Sequence, residues 1–297
     1  MRTRIESVGR ARATARFRRA SSIQLAADAA IAALDASGRD AADIDLLVNV
    51  GVYRDQNICE PALAPLIQRR IAPLAHRKDV FSFDLNNGTC GLINAFQVAD
   101  AYLRTGSARR AMVLASDVDP NPRRSTGLAL QASGVAVVVA AGDGREGFLG
   151  FHSETFSKHA NLLESRLDWL GPRPRWIPGG AGHAIAMRTM EAYAERCAEC
   201  SATSIAHFLE NRSLGIDDID LVLAADAPAG FVRRLTALCG LREGSVVSGE
   251  ETAGAHTALP GLALESALKS GRLREARHTL FVTAGAGITV SLALYGS

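Results

Sequence analysis

The sequence predicts an α/β fold made of two related halves, residues 1–150 and 151–297, and three observations carry that reading. The tetrapeptide Asp-Ile-Asp-Leu occurs at Asp43 and again at Asp218, each time opening an apolar run of strand length, DIDLLVNVGV and DIDLVLAADA. Each run follows a helix-patterned segment, SSIQLAADAAIAALDASGRD in the first half and HAIAMRTMEAYAERCAECSATSIAHFLENRSLG in the second. Downstream, AYLRTGSARRAMVLAS around Gly106 is echoed by ALKSGRLREARHTLFVTAG around Gly271. In both, a glycine stops a helix and a basic linker enters a further apolar strand.

The elements follow in order. The opening stretch MRTRIESVGRARATARFRRASS is basic and has no apolar core, so no secretory signal is expected; it reads as a solvated basic edge or a patch meeting phosphate or an acidic partner, in preference to an organelle transit peptide. Each half closes on an apolar strand, VAVVVAAG in the first and ITVSLALYG in the second. With 47% hydrophobic and 22% charged residues the chain can bury a large core, and a net charge of +2 gives no reason to expect nucleic acid. Five cysteines without framework spacing point to reduced thiols in a cytoplasm. No apolar run reaches the roughly 18–20 residues a membrane span needs.

The chemistry concentrates in DLNNGTCGLINAFQVADAYLRTG, where a polar turn ends at Cys90 and a helix pattern starts behind it. Unpaired N–H groups and the helix dipole stabilise a thiolate at such a junction. A buried structural cysteine is the alternative. Registering the halves on Gly106 and Gly271 sets Cys90 opposite Ala255, next to His256 in GAHTALPGLALESALKSG. If equivalent helices pack near a pseudo-twofold axis, thiol and imidazole come together.

These residues resemble the β-ketoacyl synthase III branch of the thiolase-fold condensing enzymes. The resemblance rests on DIDLLVNVGVYRD, FSFDLNNGTCGLINAFQVADAYLRTG, ARRAMVLASD, GHAIAMRTMEAY and FVTAGAGITVSLALYG. It implies a thiolase-like five-layered αβαβα fold, usually a dimer, in which Cys90 takes an acyl group from an acyl-CoA or acyl-carrier-protein thioester. The second subunit would be a copy of this chain or a related ketosynthase. No cofactor is implied; CoA or phosphopantetheine arrives as part of the substrate. The Cys90 N–H and one from Gly285 or Gly287 would form the oxyanion hole. The resemblance breaks where the family carries a histidine: LVLAADAPAG puts Ala225 there, with Asp226 beside it. At the family's asparagine, GEETAGAHTALPG offers Ala253, or His256 in another register.

Asp226 could orient His256 or serve as a base for an amine or hydroxyl acceptor; a solvated loop carboxylate is the plainer reading. Loss of the histidine favours a specialised acyl transfer, as in secondary metabolism, over fatty-acid initiation. It is also compatible with a non-catalytic partner subunit. Asn86 and Asn87 are expected to satisfy turn backbone, Glu250 and Glu251 to complement a helix dipole. Cys197 and Cys200 lie within a helix pattern and suggest no metal. Arg69–Arg70 and Arg233–Arg234 could meet a phosphopantetheine, and the segment with Trp169, Pro172, Pro174 and Trp176 could line a substrate mouth.

Overall fold

Two five-stranded sheets of matching strand order organise the protein in a computed structural model that describes residues 2–13, 20–71, 80–142, 144–171, 182–249 and 254–296. The strands are β1 (Arg2–Arg12), β2 (Leu46–Asn49), β3 (Phe81–Asp84), β4 (Arg110–Asp117), β5 (Ser133–Gly142) and β6 (Gly147–Thr155). They continue as β7 (Leu163–Trp169), β8 (His183–Thr189), β9 (Leu221–Ala224), β10 (Val246–Val247), β11 (His278–Gly285) and β12 (Thr289–Gly296). The main helices are α1 (Ser22–Ser37), α2 (Leu63–Ile71), α3 (Gly91–Arg104), α4 (Tyr193–Glu210), α5 (Phe231–Cys239) and α6 (Leu259–Lys269).

One sheet runs β1-β5-β4-β2-β3 and the other β6-β12-β11-β9-β10, the same order twice. Helices α1 and α2 cover the outer face of the first sheet, and α4, with α5 beside it, covers the second. Between the sheets lie α3 and α6, so the layers read αβαβα. Each helix layer has its own apolar core; the central one joins Phe96 of α3, Leu262 of α6 and Phe281 of β11.

The repeated Asp-Ile-Asp has a physical cause. Its first aspartate closes a helical turn: the Asp40 N–H donates to Asp43 at 2.9 Å and the Gly215 N–H to Asp218 at 2.8 Å. Its second aspartate ties the neighbouring strand, accepting from the Arg109 N–H in one half and the His278 N–H in the other. The same two tasks recur because the same connection is built twice.

Three expectations change. β6 pairs with β12, so the passage between halves falls between Gly142 and Gly147, and a boundary at 150 would cut β6. The segment His183–Thr189, read as helix, is a strand paired to β7, and α4 begins only at Tyr193. The basic opening is not merely a solvated edge. Residues 2–12 form β1 against β5, with Thr3, Ile5, Ser7, Gly9 and Ala11 buried at alternate positions. Gly9 is required there, since a Cβ would sit 2.2 Å from the Ala29 carbonyl oxygen of α1. Among the described residues no helix is long and apolar enough to cross a membrane.

Candidate active site

Cys90 ends a short turn, Gly88–Cys90, that leads straight into α3. Gly88 sits at φ +51°, in the left-handed region that glycine tolerates. The turn is pinned to the second sheet: Thr89 Oγ1 donates to the Ala284 carbonyl at 2.6 Å. The Cys90 side chain is fully buried, its Sγ directed at the carbonyl oxygens of Thr289 at 3.2 Å and Thr283 at 3.8 Å. Gly285 makes room for this arrangement, because a Cβ on it would stand 3.4 Å from Sγ and 3.2 Å from Thr89 Oγ1. Burial raises the thiol's pKa, and hydrogen bonds from Thr283, Ser291 and Thr89 only partly offset it. Burial thus favours the thiol over the thiolate.

The Cys90 N–H donates to the Asn87 carbonyl at 3.1 Å. Gly287, at φ +108°, shapes the tight turn between β11 and β12 beside the thiol. The Asn87 side chain does not serve its own turn, as expected of it. It donates to Asn94 Oδ1 at 2.6 Å, and Asn94 in turn reaches Ser153 and Ser291. Sequence reasoning missed this chain of amides and hydroxyls, because Asn87 lies outside α3 and only the turn at Gly88 brings it back to Asn94.

His256 occupies the matching turn of the second half, His256–Ala258, which leads into α6. The two turns pack against each other. The structural register differs by three residues from the one set on Gly106 and Gly271, since α3 has 14 residues and α6 has 11. Gly88 therefore corresponds to His256, Thr89 to Thr257, and Cys90 to Ala258. The backbone agrees: His256 has φ +45°, almost that of Gly88.

The imidazole does not pair with the thiol. Its Nδ1 meets Asp117 Oδ2 at 3.2 Å, and its ring lies 5.0 Å from that of Tyr53, tilted by 56°. Asp117, at the end of β4, is fully buried and further accepts from the N–H groups of Val52, Tyr53 and Thr257 at 2.8, 2.7 and 2.9 Å, and from the Thr257 hydroxyl. Burial by itself would raise the Asp117 pKa; the His256 ring and these hydrogen bonds outweigh it and hold the carboxyl below its ordinary value. Nothing in the sequence singled out Asp117, except that it ends the buried run ARRAMVLASD in a charge.

Asp226 lies apart from this dyad. Its carboxylate accepts from the N–H groups of Gly230 and Val232 at 3.0 and 2.9 Å and so caps the start of α5. Ala225, which the resemblance sets where the family carries a histidine, is buried in the central core. Arg70 reaches Gln24, and Arg234 returns to the Gly230 carbonyl. Trp169 is exposed and meets the His183 ring edge-on. Pro172, Pro174, Trp176, Glu250, Glu251 and Ala253 lie outside the described residues. Cys197 and Cys200 are buried in α4, and among the described residues no group of three His, Cys, Asp or Glu side chains could hold a metal ion.

A family model for 3-oxoacyl-(acyl-carrier-protein) synthase III matches residues 83–157, which include Cys90. A β-ketoacyl-(acyl-carrier-protein) synthase III of Rhodospirillum rubrum is 30% identical over 280 residues, covering 91% of this chain and 82% of that protein. One from Sphingopyxis alaskensis is 29% identical over 273 residues, covering 89% of this chain and 80% of that one. Among solved structures, the 3-oxoacyl-(acyl-carrier-protein) synthase III of Aquifex aeolicus aligns with a TM-score of 0.79 at 18% identity, covering 99% of this chain and 100% of that one. Xanthomonas campestris OleA, crystallised with lauric acid and lauroyl-CoA, aligns at 0.80 and 14% identity over 100% of this chain and 99% of that one. Those two structures share the five-layered thiolase-like fold described above.

Proposed function

The chain belongs to the β-ketoacyl-(acyl-carrier-protein) synthase III family, and from that premise we propose that Cys90 accepts an acyl group from an acyl-CoA or acyl-carrier-protein thioester and passes it to a second substrate. One observation carries this: a buried thiol stands at the head of a helix, and Gly285 sets no side chain against it. The sulfur attacks the thioester carbonyl, the carbonyl electrons move onto oxygen, and collapse expels the donor thiol, which takes up the proton that Cys90 gave up. The N-terminus of α3 favours the developing negative charge. The N–H groups of the Gly285–Gly287 turn are the proposed partners of that oxygen, and the Cys90 N–H would have to turn from Asn87 to complete an oxyanion hole.

The test is intact-protein mass after incubation with a panel of acyl-CoA and acyl-carrier thioesters. The wild type should gain one acyl group and Cys90→Ala none. Because burial raises the thiol's pKa, the thiolate fraction at neutral pH is small, and the acylation rate should climb with pH up to and beyond the ordinary cysteine value near 8.5. No adduct with any donor would favour the alternative of a non-catalytic partner subunit, which the buried Ala225 at the family's histidine position makes worth testing.

The dimer expected from the family has a natural seat. β3 is an edge strand, and its Phe81 is 53% exposed beside Phe83 and Tyr102. An exposed aromatic edge strand invites pairing with another chain. Phe81→Lys should convert a dimer to monomer in light scattering; an unchanged mass would place the contact elsewhere.

A further inference from the structure

An acyl group on Cys90 must leave to an acceptor, and the acceptor's proton needs a destination. The family's histidine position holds only the methyl of Ala225. We propose that His256, held by Asp117, is the acid–base group of this second step, and that the acceptor is a heteroatom nucleophile, a thiol, amine or hydroxyl. The inference rests on the acyl-enzyme reading above.

Four observations support it. A carboxylate can only accept, so Nδ1 donates in the 3.2 Å contact, and Nε2 is the ring nitrogen left to exchange a proton with an incoming group. Asp117 is fixed by four other hydrogen bonds, and Tyr53 flanks the ring, so the imidazole plane is set from two sides. Tyr53 is itself held, its hydroxyl donating to Ser165 at 3.1 Å. The residue pays for its place: φ +45° is strained for a side chain with a Cβ, and the corresponding residue of the first half is glycine. Finally, the His256 turn packs on the Cys90 turn, and the imidazole remains 20% exposed, within reach of an incoming molecule.

The chemistry balances with these groups alone. Nε2 takes the proton from the acceptor's X–H as X attacks the Cys90 thioester carbon. Collapse of the tetrahedral adduct breaks the carbon–sulfur bond, and the imidazolium returns the proton to Sγ. A decarboxylating carbon acceptor asks for something else: hydrogen-bond donors on its thioester oxygen as the enolate develops. Ala225 offers none.

p-Nitrophenyl hexanoate separates the two steps, with N-acetylcysteamine as acceptor. The nitrophenolate burst reads Cys90 acylation, and the later rate reads transfer; Cys90→Ala sets the background. His256→Gly suits the backbone at φ +45°, so the fold should hold. It should keep the burst and lose about 100-fold in transfer rate, and added imidazole should restore much of the loss. His256→Asn, which also tolerates the left-handed backbone, should lose as much but fill the space and resist rescue. A retained burst with unchanged transfer in both variants would overturn this inference alone. Loss of burst and transfer together in a folded variant would also overturn it, placing His256 in the first step or in support of the turn. No burst in the wild type would overturn the acyl-enzyme reading, and this inference with it. A carbon–carbon product formed from malonyl-CoA faster than transfer to N-acetylcysteamine would overturn the acceptor class.

Discussion

Asp117→Asn is expected to lower the unfolding free energy by about 3–5 kcal/mol, the usual cost of removing one partner from a buried charged network. The carboxylate collects donors on both oxygens: Val52 and Tyr53 N–H on Oδ1, and Thr257 N–H, the Thr257 hydroxyl and His256 Nδ1 on Oδ2. An asparagine has one acceptor oxygen. Whichever way its amide turns, the NH2 group faces N–H donors in a space closed to water. The loop after β2, the end of β4 and the turn before α6 are joined through this one side chain, so they would loosen together.

The pH dependence has a definite sign. The folded pKa of Asp117 lies below the unfolded value, so its contribution is fully present above about 3.9 and is lost as pH falls through the folded pKa. In urea unfolding the wild type should exceed Asp117→Asn by its full margin at pH 7, and the gap should narrow below about pH 4. An equal midpoint at pH 7 would show that the carboxylate is not needed.

What the sequence made legible depended on how far apart the interacting residues lie. The paired Asp43/Asp45 and Asp218/Asp220 motifs are local devices repeated in two halves, so they could be read directly, and they fixed the α/β duplication. The Cys90 junction was equally local, a turn followed by a helix. The partner of His256 was not. Asp117 is 139 residues away, and only the packing of the turn before α6 on the end of β4 brings the two together. Asp226, two positions past β9, looked better placed, yet its carboxylate is consumed by the start of α5. β1 was hidden for a different reason: its buried face is Thr, Ser, Gly and Ala beside a single Ile, small because α1 presses close, and the arginines between them read as solvent. His183–Thr189 carries apolar residues that suit either period, and only its pairing with β7 decides for strand. The left-handed backbone of His256 has no sequence signature until the register with Gly88 is known.

Gly285→Val tests whether the space around Cys90, rather than its chemistry alone, sets the activity. Gly285 is the last residue of β11 and its φ is not positive, so a β-branched side chain suits the strand backbone. Space is the obstacle. A Cβ already reaches contact distance of Thr89 Oγ1 and Cys90 Sγ, at 3.2 and 3.4 Å, and the γ-methyls of valine must push into the turn. The turn is held to the second sheet by the Thr89–Ala284 hydrogen bond, so it cannot slide freely; it would be displaced as a unit. Overpacking of this kind costs about 1–3 kcal/mol, too little to unfold a domain with three apolar cores. Moving a nucleophile by about 1 Å, however, can cost about 100-fold in rate. The expected result is a folded variant with a slightly lowered melting temperature whose acyl adduct forms about 100-fold more slowly. Gly285→Ala should fall between, since one methyl stays at contact distance. If Gly285→Val acylates at the wild-type rate, the acyl group does not approach Cys90 past this strand end, and the entry path must be sought on the far side of α3.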